Sequence, residues 1–81
     1  MKIVLRLFSV FRDVMGFREK TIDIPPGTTL EALLRELMAQ YPRLKPHEAS
    51  VLLAVNRDFA SIKTRLEEGD EVALMPPIGG G

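Results

Sequence analysis

The sequence contains no cysteine. That excludes disulfides, thiolate-ligated metals and a thiol nucleophile on this chain. It also lacks an excess of either charge, with Lys and Arg numbering 11 against 11 Asp and Glu. The basic residues are scattered and form no run, so the usual electrostatic footprint of a nucleic-acid binder is missing. No apolar run approaches the length of a membrane span. The N-terminus lacks the charged, apolar and cleavage regions of a secretory signal. A cytoplasmic protein with neither nucleic acid nor membrane as partner is the expectation. Only one histidine, His47, is present.

What is present points to one modest globular domain of 81 residues. A chain of this size buries roughly 60% of its unfolded surface. The hydrophobic content of 46% argues against intrinsic disorder. Lys2 to Phe8 alternates, with Ile3, Leu5 and Leu7 on one face of a strand and Val4, Arg6 and Phe8 on the other. Ser9 is placed to cap a short helical turn containing Val10, Phe11, Val14 and Met15, and Gly16 suits its end. Phe17 to Ile24 reads as a second strand, antiparallel to the first, and Pro25-Pro26-Gly27 ends it.

The strongest element follows. Thr28 and Glu31 have capping-box spacing, and Leu30, Leu33, Leu34, Leu37, Met38 and Tyr41 recur at helical intervals before Pro42 stops the helix. Arg43 to Ser50 reads as a polar connection and Val51 to Val55 as a strand. Asn56-Arg57-Asp58 turns the chain into a short return strand at Phe59-Ala60. A turn at Leu66–Asp70 leads to the last strand, Glu71 to Met75. One long helix on one face of a mixed sheet is an α+β arrangement, with the domain spanning 1–75. Its expected core includes Leu5, Leu7, Ile22, Leu33, Leu37, Leu53, Val55, Val72 and Leu74.

After Met75 the chain reads Pro76-Pro77-Ile78-Gly79-Gly80-Gly81. Prolines favour an extended path, and glycines add almost no side-chain bulk. Six residues reach at most about 20 Å, so 76–81 is expected to be a flexible tail ending in a carboxylate. A frayed terminus is one reading. The other is a thin probe that enters another protein's active site. There, nucleotidyl transfer to the carboxylate gives a mixed anhydride open to attack by sulfur.

The run Gly69-Asp70-Glu71-Val72, then Pro76-Pro77 and terminal Gly80-Gly81, resembles the end of the small, sulfur-carrying subunit of molybdopterin synthase. Val55-Asn56 with Phe59-Ala60 is similar to that family's internal hairpin, and Leu7-Phe8-Ser9, Arg12 and Gly16 to its opening. The resemblance spans essentially the whole chain. It implies the ubiquitin-like β-grasp fold, with four or five strands and parallel first and last strands. It implies that Gly81 is adenylated by an activating enzyme resembling ubiquitin E1, thiocarboxylated by way of a sulfur donor protein, and then delivers sulfur to precursor Z on the large synthase subunit. Gly80 passes through the partner's constriction. No cofactor is implied beyond a transient acyl-adenylate, made from ATP on the partner enzyme. The chain itself is not expected to be an enzyme. Gly79 departs from the small or hydroxyl residue common in the family. Protein modifiers and the carriers of the thiamine and tRNA pathways share this tail chemistry and stand as the alternative.

Phe8 and Met75 lie on the non-core faces of their strands, and Phe59 can join them from the hairpin. Scattered surface apolarity explains this; given the resemblance, a docking patch beside the tail is the sharper reading. With Pro76, Pro77, Ile78 and Gly79 these residues are the candidate partner contacts. Glu67, Glu68, Asp70 and Glu71 read as a solvated turn, with an electrostatic guide for a basic partner as the alternative. His47 has no nucleophile or metal partner in the pattern and reads as a surface residue.

Overall fold

A computed structural model of the chain describes residues 1–77. Five strands, β1 (Lys2–Leu7), β2 (Glu19–Asp23), β3 (Leu52–Val55), β4 (Asp58–Phe59) and β5 (Glu71–Met75), form one mixed sheet in the order β2-β1-β5-β3-β4. β1 pairs antiparallel with β2 and parallel with β5. β5 pairs on its other side, antiparallel, with β3, which carries the short β4. Between β2 and β3 lies α2 (Leu30–Gln40); between β1 and β2 lies the six-residue α1 (Val10–Met15). No helix among the described residues is long and apolar enough to cross a membrane.

The period-two pattern of β1 and β5 decides which way the sheet faces. Ile3, Leu5, Leu7, Val72 and Leu74 are almost completely buried. They meet the stripe of α2, where Leu30, Leu33, Leu34, Leu37 and Met38 are buried as the helical spacing predicts. Tyr41 caps the helix rather than extending it, its N–H donating to the Leu37 carbonyl at 2.8 Å. Glu31 and Arg35 approach to 3.9 Å across one turn.

Several expectations are corrected. Thr29, not Thr28, caps α2: its hydroxyl oxygen accepts the Ala32 N–H at 3.2 Å. Thr28 is still inside the Pro25–Gly27 turn, where both its N–H and its hydroxyl donate to the Pro25 carbonyl. Ser9 stands at the start of α1, yet its side chain makes no capping bond and its φ is +52°. Gly16 ends α1 in the left-handed region, at φ +85°. β2 starts at Glu19, two residues later than its sequence pattern suggests.

Ile22 and Val55 are only partly buried. β2 is a sheet edge, and Val55 is the last residue before the hairpin, so neither is covered on all sides. Conversely, the Pro42–Ser50 connection is not simply polar. It winds through 3₁₀ turns and inserts Leu44, fully buried, into the core that also takes Phe11, a second buried residue outside the expected set. His47 lies in the same segment, with its ring edge-on to Phe11 at 6.1 Å between centroids.

The β3–β4 hairpin turns on Asn56 and Arg57, at φ +52° and +72°. Two positive φ values suit the twist of adjacent strands and are easy for Asn but costly for Arg. Asn56 compensates by bonding to the turn that precedes β5. Its side-chain amide donates to Asp70 Oδ1 and accepts from the Glu71 N–H, both at 3.0 Å, while its own N–H reaches the Glu71 carbonyl at 2.8 Å.

Candidate partner-docking site

The sheet face turned away from α2 has a different composition. In register across it stand Arg6, Ala73, Ala54 and Phe59, taken from β1, β5, β3 and β4. One step toward the end of β5 comes Met75, paired with Leu52. Phe8 follows the Leu7–Leu74 pair and donates its N–H to the Leu74 carbonyl at 3.2 Å, which sets it beside Met75. Phe8, Phe59 and Met75 therefore lie around one depression of about 320 Å³ with an alanine floor.

The apolar rim is open. Phe59 is 69% exposed and Phe8 41% exposed, values too high for packing residues. Holding a benzyl group in water is unfavourable unless something covers it, and two such groups with a half-buried methionine on one face form a patch rather than scatter. The polar side of the rim is largely self-neutralised. Glu71 Oε2 faces Arg6 Nη1 at 3.6 Å, and Glu71 Oε1 faces Arg57 Nε at 3.5 Å. Arg6 also reaches Glu19 at 3.4 Å and lies 5.9 Å from the centre of the Phe8 ring.

β5 runs from Glu71 toward Met75, and the patch sits at its exit end. Pro76 is partly buried against the domain and Pro77 is exposed. The candidate residues Ile78, Gly79, Gly80 and Gly81 lie outside the described residues.

The acidic cluster lies at the other end of β5, about 13 Å away for four strand steps. Most of it is engaged within the domain. Glu68 accepts the Lys2 N–H at 3.0 Å, and Asp70 accepts the Glu67 N–H at 2.8 Å and the Asn56 amide. Glu71 holds Arg6 and Arg57. Sequence reasoning grouped Phe8, Phe59 and Met75, which do surround one depression, but missed its floor and the arginines between them. Small Ala54 and Ala73 gave no signal as single residues. Arg6 did give one, since it alternates onto the same face as Phe8.

A mixed sheet with parallel first and last strands side by side at its centre, crossed by one long helix, is the ubiquitin-like β-grasp fold, and the exposed patch stands where its last strand ends. The chain belongs to the ThiS family, whose model matches residues 5–81. It is 34% identical over 83 residues to the molybdopterin synthase sulfur carrier subunit of Chlamydomonas reinhardtii, covering 100% of both chains. Among solved structures, the putative molybdopterin converting factor subunit 1 of Pyrococcus furiosus superposes with a TM-score of 0.85 at 28% identity, over 96% of this chain and 99% of that one. A chain of the protein-protein complex of molybdopterin-converting factor subunits 1 and 2 from Helicobacter pylori shares the fold, with a TM-score of 0.69 at 24% identity and 100% coverage of both chains.

Proposed function

We infer that this protein is the sulfur-carrying small subunit of a molybdopterin synthase, working in the cytoplasm, and that Gly81 is the residue that carries the sulfur. The observation that supports this reading most is positional. The open apolar patch of Phe8, Phe59 and Met75 surrounds the strand whose next residues are Pro76-Pro77-Ile78-Gly79-Gly80-Gly81. A partner that covers the patch is brought to the root of the tail. The tail's reach of about 20 Å then sets how deep its active site can lie.

The chemistry demands little of the carrier itself. On an E1-like enzyme the Gly81 carboxylate attacks the α-phosphorus of ATP, and pyrophosphate leaves. Sulfide displaces AMP from the acyl-adenylate to leave a thiocarboxylate; alternatively, a donor protein's persulfide displaces it and a thiol reduces the resulting acyl disulfide. The thiocarboxylate then acts as a sulfur nucleophile toward precursor Z on the large synthase subunit. Catalytic groups and any bound nucleotide belong to the partners, and this chain needs no cofactor of its own. Its contribution is to hold the reacting atom in place, which converts an encounter in solution into a positioned reaction. Gly80 lacks a Cβ and passes a narrow channel. Pro76 and Pro77 keep the start of the tail extended.

The test is reconstituted conversion of precursor Z by the large subunit and thiocarboxylated carrier. Dithiolene should form in proportion to carrier supplied, two carriers for each product. A chain lacking Gly81 that supports full conversion would overturn the assignment. Isopeptide-linked adducts in cells, without any effect on molybdopterin, would point instead to a protein modifier.

A further inference from the structure

Phe8 and Arg6 form a wall shared by two depressions. One is the apolar patch. The other, about 330 Å³, is lined besides them by Leu7, Arg12 and Arg18, so every charged residue around it is an arginine. Three elements supply them: β1, α1 and the approach to β2. The domain's counter-charges fall mainly to Arg6. Among the described residues Arg12 has an ion pair only with its neighbour Asp13, at 3.8 Å, and Arg18 has none. Arg6 shares Glu19 and Glu71 at 3.4 and 3.6 Å. Pairs of this length that stay partly open to water contribute little, and the more exposed Glu19 is the readier to exchange for another carboxylate. The corner is also tied to the tail. The Leu7 N–H donates to the Arg18 carbonyl at 2.9 Å, and the Phe8 N–H to the Leu74 carbonyl one residue before β5 ends.

We propose that this arginine corner receives an acidic segment, with at least two carboxylates, on the adenylating enzyme that takes the tail. This rests on the docking reading above and adds the charge of the partner's surface. Guanidinium forks favour carboxylates through paired charge-assisted hydrogen bonds. Continuity with the apolar patch makes one protein surface the fitting occupant. A nucleic acid needs an extended basic stripe. Here the cations occupy one corner of a chain with zero net charge, and the acidic turn lies at the other end of β5. The corner steers and orients the approach, while the apolar patch holds the complex.

The test is stopped-flow association of the full chain with the adenylating enzyme from the same organism, between about 50 and 500 mM salt, where screening of exposed charges changes strongly. The unmodified chain should associate more slowly as salt rises. The double reversal Arg12→Glu/Arg18→Glu should associate at least tenfold more slowly at low salt and lose or invert that dependence. Lys63→Glu, in the loop after β4, should leave the rate unchanged. Arg12→Gln/Arg18→Gln serves as the gentler pair, and thermal melts confirm folding. A double variant with unaltered rate and salt dependence overturns the corner. In that case, faster dissociation of Phe8→Arg at every salt would leave the docking reading standing, and its absence would remove that reading as well. A rate difference abolished by nuclease would make nucleic acid the occupant and also overturn the proposal.

Discussion

Beneath α2 the central strands present Ile3, Leu5, Leu7, Leu53, Val72 and Leu74, nearly all inaccessible to water. The same strands turn Arg6, Phe8, Ala54, Ala73 and Met75 the other way, and only Ala54 among these is buried. One backbone thus carries two surfaces with different tasks. Removing atoms from the first leaves a hole that the fold must tolerate. Altering the second leaves the core intact and changes what the domain can meet. Strand alternation makes this separation possible, because neighbouring residues point to opposite sides.

The comparison can be broken most severely beyond both faces. Deleting Gly81 should abolish sulfur transfer in the reconstituted synthase while leaving the thermal melt unchanged, because a glycine brings no side chain to either face. On the covered face, Leu37→Ala should cost about 2–5 kcal/mol by denaturant titration, through lost transfer energy and a residual cavity. Its binding, measured well below its melting temperature, should stay normal. On the open face, Phe8→Arg should weaken binding to the adenylating enzyme at least tenfold, with a stability change within about 0.5 kcal/mol. Unaltered affinity would remove Phe8 as an anchor.

Two smaller effects sharpen the local assignments. Thr29→Ala should cost about 1 kcal/mol by loss of the helix cap. Thr28→Ala should cost less, since Thr28 bonds to the Pro25 carbonyl instead; the reverse order would restore the capping box at Thr28. Arg57→Gly should be stabilising by a few tenths of a kcal/mol, because relief of positive φ outweighs the added freedom of the unfolded chain and the loss of an exposed ion pair.

Elements with one strong period were legible in the sequence. β1, α2 and β5 each repeat their apolar residues at the spacing of a strand or a helix, and their buried faces follow from that alone. Phe8, Phe59 and Met75 were legible as a group only through the resemblance that supplied the strand order. Register then sets the alanine floor between them. Leu44 and Phe11 were harder, because one apolar residue in a polar segment and one in a single helical turn carry no period. The arginine corner was invisible for another reason. Arg6, Arg12 and Arg18 are spaced six residues apart and form no run, and only the path of the chain through β1, α1 and β2 gathers them.

The place of β5 in the sheet has a mechanical consequence. The tail continues from a central strand, gripped by β1 along one side and by β3 along the other. Tension applied at Pro76 and Pro77 would load two hydrogen-bonded ladders together. A strand at the rim would peel from one neighbour, bond after bond, like a strip of tape. This one must shear free of both at once while dragging Val72 and Leu74 out of the core. A pull on the end of this domain is thus resisted by the whole width of its central pairing, not by one bond at a time.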